Sequence, residues 1–208
     1  MPHTLDQLPP RLALVEIARD FHARGWMPGT AGNLSIRAQE GFWITASGCA
    51  KGRLQETDFL LLDVARGTVI EQVHSNNQPS AEASIHRAIY DLFPEAIACL
   101  HVHSLAAAIV SNKTAARANM VRLPSLEIIK GFGIWQQNPK IDLPLFANHL
   151  DVEQIAHDIK ARFQEQPPPL TALLIHSHGV TVWGKSLQQA YDRVECLEFL
   201  LSYEARAD

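Results

Sequence analysis

Two apolar runs constrain the fold of this chain most. Ala96-Ile97-Ala98-Cys99-Leu100 leads straight into His101-Val102-His103, and Leu173-Leu174-Ile175 leads straight into His176-Ser177-His178-Gly179. Runs this short, apolar at every position, read as strands buried on both faces. Around them, strand-like Phe42–Thr45 and Phe59–Leu62 lie beside turn-forming residues, the latter turning at 65–68 into Val69-Ile70, and Val180–Gly184 returns antiparallel to the 173–179 strand. Small-residue loops at 29–35 and 47–52 flank the first hairpin.

Amphipathic helices separate these strands. Leu14, Ile17, Ala18 and Phe21 recur at helical spacing before Gly25; Ile85, Ala88, Ile89 and Leu92 follow Pro79-Ser80, with Ser80 as N-cap, and stop at Pro94. Ser104 caps a helix through Leu105–Val110, Asp151 and Gln154 cap one that Pro167-Pro168-Pro169 closes, and Ser186 and Gln189 cap the last. Hairpin-joined strands interspersed with four or five helices imply a central sheet, antiparallel in good part and covered on both faces.

The 208 residues, 47% hydrophobic, suit one domain over the whole chain, 1–208. No segment is apolar for long enough to span a bilayer, and the start Met1-Pro2-His3-Thr4-Leu5-Asp6 lacks the basic-then-apolar pattern of a leader. A net charge of −4 without a run of Lys or Arg argues against nucleic acid or anionic membrane as a partner. Cys49, Cys99 and Cys196 are odd in number and far apart, which predicts neither a disulfide framework nor a thiolate metal site and fits a reducing cytoplasm.

The chemistry-bearing residues begin with His101 and His103. Two apart on a strand, they share a face and can converge on one ion. Three histidines with an open fourth position make a catalytic zinc arrangement, and either His176 or His178, by spacing, completes it. Gly29-x-x-Gly32-Asn33-x-Ser35 and Ser47-Gly48-x-x-Lys51 match no nucleotide-binding pattern, yet they hold the parts of a small phosphate cradle: freed backbone N–H groups, hydroxyls, an amide and a lysine. Two carboxylates fall in apolar neighbourhoods, Glu82 three residues before Ile85 and Glu127 within Leu123–Gly131, where a raised pKa would suit proton transfer. His74, His86, His149 and His157 share no spacing and read as surface or core residues, and Cys49 has no adjacent group to activate it.

Taken in order, Gly32-Asn33-x-Ser35, Thr45-Ala46-Ser47-Gly48, Pro79-Ser80-Ala81-Glu82, His101-x-His103 and His178-Gly179 resemble the class II aldolase/adducin family, from the first helix to the last. Within it, Ser47-Gly48-x-x-Lys51-Gly52, Glu127-Ile128-Ile129-Lys130-Gly131 and His178-Gly179-Val180-x-Val182-Trp183-Gly184 resemble the subgroup that dehydrates a methylthio-ketose phosphate in methionine salvage. The resemblance implies a three-layer α/β/α sandwich with a largely antiparallel central sheet, one zinc ion per subunit on His101, His103 and His178, and a cytoplasmic homotetramer. It further implies a phosphate site on Asn33, Ser47 and Gly48, with Lys51 added from the subgroup. Glu127 matches the dehydratases' acid/base and Glu82 that of the related aldolases. The activity implied is loss of water from 5-methylthioribulose 1-phosphate through a zinc-stabilised enediolate, giving 2,3-diketo-5-methylthiopentyl 1-phosphate. The alternatives are a class II sugar-phosphate aldolase or pentulose-phosphate epimerase and, from another class, a non-catalytic adducin-like binding domain.

Overall fold

The computed structural model describes residues 4–114 and 118–207. The first three residues, part of the start that argued against a leader, lie outside them. In chain order the elements are helix α1 (Pro10–Ala23), strands β1 (Asn33–Arg37), β2 (Phe42–Thr45), β3 (Phe59–Leu62) and β4 (Val69–Gln72), helix α2 (Ala83–Leu92), β5 (Ala98–Val102), α3 (Leu105–Lys113), β6 (Met120–Arg122), β7 (Asp142–Phe146), α4 (Val152–Glu165), β8 (Ala172–Ile175), β9 (Gly179–Gly184) and α5 (Leu187–Arg206). The nine strands form one sheet in the order β4-β3-β2-β1-β5-β9-β8-β7-β6. Every neighbouring pair is antiparallel except β7 with β8. Among the described residues no helix is long and apolar enough to cross a membrane.

The two-residue period of the strands divides the core. Leu34, Ala98, Leu100, Val102, Leu174, Val180 and Val182 join one buried cluster with α1, α3 and α5. Phe42, Ile44, Leu60, Cys99, Leu173 and Trp183 join a second with α2 and α4. β5 sits at the centre, between β1 and β9, which is why its residues are apolar at every position up to His101.

Several local readings change. Asn33 and Ser35 belong to strand β1, not to a loop. Helix α2 starts at Ala83, two residues later than Ser80 as N-cap suggested; Glu82 takes the N-cap position, while the Ser80 hydroxyl accepts from the Glu82 N–H. Strand β8 ends at Ile175, so His176 and His178 lie in the β8–β9 turn around Ser177, whose φ is +52°. Strand alternation therefore does not put those two side chains on one face. The edge pair β6 and β7 had no counterpart among the strands read from the sequence.

Candidate metal centre

β5 delivers His101 inside the sheet and His103 one residue past its end, where the His103 N–H donates to the Trp26 carbonyl oxygen at 2.8 Å. The β8–β9 turn brings His178 to the same end of the sheet. Gly179 makes that approach possible: a Cβ there would lie 2.1 Å from the Val102 carbonyl oxygen and 3.3 Å from His101 Cε1, so only glycine lets β9 close on β5 at this level. Glu82 arrives from the N-terminus of α2, where a helix's exposed N–H groups favour negative charge.

The side chains meet closely. One ligand atom from each of Glu82, His101, His103 and His178 lies within 4.8 Å of all the others. His101 Nε2 and His103 Nε2 are 2.9 Å apart, His178 Nε2 is 2.6 Å from Glu82 Oε1, and His101 Nε2 is 3.4 Å from Glu82 Oε2. The three rings stand edge-on to one another, with centroids 4.5–5.0 Å apart. His101 Nδ1 meets the Thr181 hydroxyl at 2.9 Å, across the β5–β9 register that pairs His101 with Thr181. That contact fixes the ring with Nε2 toward the other imidazoles, the kind of support that metal-binding histidines receive.

Burial disfavours the charged form of His101 and His103. It pushes His101 well below its ordinary pKa and His103 down to about 4, with the positive charge of Lys51 adding to the effect on His103. Burial acts to raise the Glu82 carboxyl, but the neighbouring His101, His178 and His103 outweigh it and hold Glu82 well below the usual carboxylate range. Three imidazoles and one carboxylate, all converging, fit a divalent metal ion with room left for a further ligand. His176 is directed elsewhere, its Nδ1 3.0 Å from the Ser177 hydroxyl.

The loops read as an anion cradle come together beside this cluster. The Asn33 amide donates to Glu82 Oε2. An isolated bridge between Ala46 and Pro79, with the Ser47 N–H donating to the Gln78 carbonyl oxygen at 2.8 Å, sets the exposed Ser47-Gly48 turn next to the segment leading to Glu82. Gly48 has a φ of +73° and open space around its α-carbon. Lys51 is not solvated: it is buried, with Nζ donating to the carbonyl oxygens of Thr30 at 2.8 Å and Cys49 at 2.9 Å. It thereby ties the two loops and leaves a cation near the cluster. Burial pushes the Cys49 thiol up, away from a reactive thiolate.

Glu127 lies apart from this group. It begins a 3-10 turn, Glu127–Phe132, and its side chain is 83% exposed, with a 2.5 Å ion pair to Lys130. That bond lowers its pKa, the reverse of the rise expected from its apolar neighbours, because Ile129 turns into the core while the carboxylate points out. Sequence reasoning missed Thr181 and the role of His86, which is fully buried with Nε2 2.5 Å from Asn33 Oδ1. Only the register of β9 against β5 reveals the first; the four-residue spacing of Glu82, His86 and Tyr90 was the available signal for the second.

The comparisons agree with this geometry. The chain is 52% identical over 195 residues to the methylthioribulose-1-phosphate dehydratase of Microcystis aeruginosa, covering 93% of this chain and 94% of that protein. It is 41% identical over 201 residues to the enzyme of the same name from Leptospira biflexa, with coverages of 93% and 95%. Among solved structures, YgbL from Escherichia coli superposes with a TM-score of 0.77 at 26% identity, covering 93% of this chain and 87% of that one. The L-fuculose-1-phosphate aldolase of Thermus thermophilus superposes with a TM-score of 0.73 at 26% identity, covering 95% and 94%. The family model of the class II aldolase and adducin N-terminal domain matches residues 12–204, a span that contains Glu82, His101, His103 and His178, and the chain belongs to the class II aldolase/adducin family.

Proposed function

We propose that this protein is a lyase that removes water from 5-methylthioribulose 1-phosphate to give 2,3-diketo-5-methylthiopentyl 1-phosphate, a step of methionine salvage. The observation that carries this reading is the 52% identity with the M. aeruginosa methylthioribulose-1-phosphate dehydratase, sustained over 93% of the chain. The histidine cluster gives the reading its chemistry. His101, His103 and His178 are the residues that would hold one zinc ion per subunit, their imidazoles matching zinc's preference for nitrogen donors and an open position. Zinc bound there supplies Lewis acidity toward a ketose carbonyl, which makes the adjacent C–H acidic.

The protein's own groups then account for binding and proton traffic. Asn33, Ser47, Gly48 and Lys51 bind the 1-phosphate, the backbone and amide N–H groups and the buried ammonium of Lys51 acting as donors. We assign removal of the C3 proton to Glu127 on its match to the dehydratases' acid/base, a role that requires its exposed side chain to leave Lys130 and reach substrate held at the cluster. The electron pair left there forms the C3–C4 double bond as the C4–O bond breaks, the proton held by Glu127 leaves with the C4 hydroxyl as water, and the resulting enol takes up a proton at C4 to become the diketone. Glu82, held beside Asn33 and the imidazoles, orients the reacting end.

A second reading is aldol cleavage. The place of Glu82 within the cluster favours it, since that glutamate matches the aldolases' acid/base. The product separates the two: dehydration makes a vicinal diketone that condenses with o-phenylenediamine to a quinoxaline, whereas C3–C4 cleavage releases a smaller aldehyde and no diketone.

The same reading includes a single domain over the whole chain, a three-layer α/β/α arrangement, a cytoplasmic location and a homotetramer. The two buried clusters support the layering. The three free cysteines fit the reducing compartment. Large side chains left exposed on α3 and α5, Leu105, Phe199 and Tyr203, suit subunit contacts.

A further inference from the structure

Behind Glu82 runs a chain of buried polar groups. Helix and strand periods make it possible: Glu82, His86 and Tyr90 are four residues apart along one ridge of α2, and Asn33 and Ser35, two apart, share one face of β1. Tyr90 OH lies 2.8 Å from Ser35 Oγ, Ser35 Oγ 2.6 Å from His86 Nδ1, and His86 Nε2 2.5 Å from Asn33 Oδ1, while Asn33 Nδ2 meets Glu82 Oε2. All four residues behind Glu82 are buried.

The direction of every bond follows from the chemistry of the groups. Asn33 sets Nδ2 against Glu82 Oε2 and Oδ1 against His86 Nε2, so its NH2 donates to the carboxylate and its oxygen can only accept from the ring. Burial pushes the His86 pKa down to about 4, so the ring is neutral and carries one proton. Because Asn33 Oδ1 only accepts, that proton sits on Nε2, and Nδ1 must accept from Ser35. The Ser35 proton takes the 2.6 Å contact in preference to the 3.3 Å approach to the Cys99 carbonyl oxygen, and the Tyr90 hydroxyl donates to Ser35 in turn. All four donors point toward Glu82.

We propose that His86 is a positioning residue, whose Nε2–H locks the Asn33 amide so that its NH2 faces Glu82 and holds that carboxylate against the histidine cluster. Without this donor, Asn33 can rotate to set its oxygen against the carboxylate, and Glu82 leaves its place. The inference rests on the functional reading above for its kinetic consequence, though the bond pattern does not depend on it.

The test compares His86→Gln, which keeps an N–H donor toward Asn33, with His86→Leu, which keeps apolar bulk alone, and reads kcat, KM, bound zinc and thermal unfolding. The expected result is kcat within about threefold of wild type for Gln and about 10- to 100-fold lower for Leu, at similar KM and zinc content. Equal kcat in the two variants, or a loss confined to KM, overturns the proposal. A second measurement needs neither activity nor the Leu variant's folding: the 15N spectrum of histidine-labelled protein, with the His86 signals identified by their loss in His86→Gln, should show the neutral Nε2–H tautomer. An Nδ1–H tautomer or a charged ring at neutral pH overturns it. If wild type fails to dehydrate the substrate while the tautomer is as expected, the functional reading fails and the positioning role stands.

Discussion

Glu198, on α5, is the residue whose charge the fold tolerates least. Its side chain is 1% exposed and neither carboxylate oxygen has a hydrogen-bond partner; burial pushes its pKa up to about 7, against a small opposing effect of the Ser104 hydroxyl. A group whose pKa is higher folded than unfolded stabilises below its unfolded value and loses that stabilisation as pH rises through the folded one. The rise from 4.5 to about 7 corresponds to about 3 kcal/mol, absent from a variant that cannot ionise. Glu198→Gln should therefore gain thermal stability relative to wild type as pH increases from 5 to 8, and a pH-independent difference between the two melting temperatures would contradict this. In the metal centre, His103→Ala should lose bound zinc, measured by metal analysis, while Glu127→Gln keeps zinc and loses most of its turnover, by about 100-fold or more. A near-normal rate in Glu127→Gln together with a dead Glu82→Gln would transfer the acid/base role to Glu82. At this scale His101 and His103 were legible because their two-residue spacing on a strand puts both rings on one face, and the histidine before Gly179 offered a further imidazole. Glu198 was not, since its spacing on α5 resembles a helix's polar face until α3 and the segment around Trp26 are packed over it.

Elements hold the centre together through a few positions where backbone meets backbone. Gly179→Ala would set a methyl 2.1 Å from the Val102 carbonyl oxygen and drive β9 from β5 at the level of His101 and His178. We expect a loss of about 3 kcal/mol or more, read as a lowered melting temperature, with weakened zinc retention. Ser104 caps α3 by accepting from the Ala107 N–H at 3.0 Å, immediately after His103, so the strand end that bears His101 and His103 and the helix start are fixed by one turn. Caps and periodicity made the helices readable, and the hairpins β3–β4 and β8–β9 were readable from their turns. β7 escaped because Pro144 interrupts it, and β6 because three residues carry no period. The start of α2 was misplaced because Pro79-Ser80 imitates a helix opening, whereas the bridge from Pro79 to Ala46 keeps that segment extended beside β2.

For the whole molecule, the fold brings β5, the β8–β9 turn, the start of α2 and the glycine-bearing loops to one end of the sheet, and no local pattern in the sequence states that meeting. The order of the motifs did, through the family they resemble. The resemblance to the family leads us to expect a homotetramer, for which exposed Leu105, Phe199 and Tyr203 offer contact surface, and light scattering on the eluting protein should give four times the 23.1 kDa chain mass. A monomer at micromolar concentration would leave those surfaces without the proposed purpose. The central claim is tested most directly by incubating the zinc-loaded protein with 5-methylthioribulose 1-phosphate and weighing the product by mass spectrometry. The account predicts a product lighter than the substrate by one water, formed by the loaded protein and lost on chelation; cleavage to a smaller aldehyde, or recovery of the substrate mass alone, would contradict it.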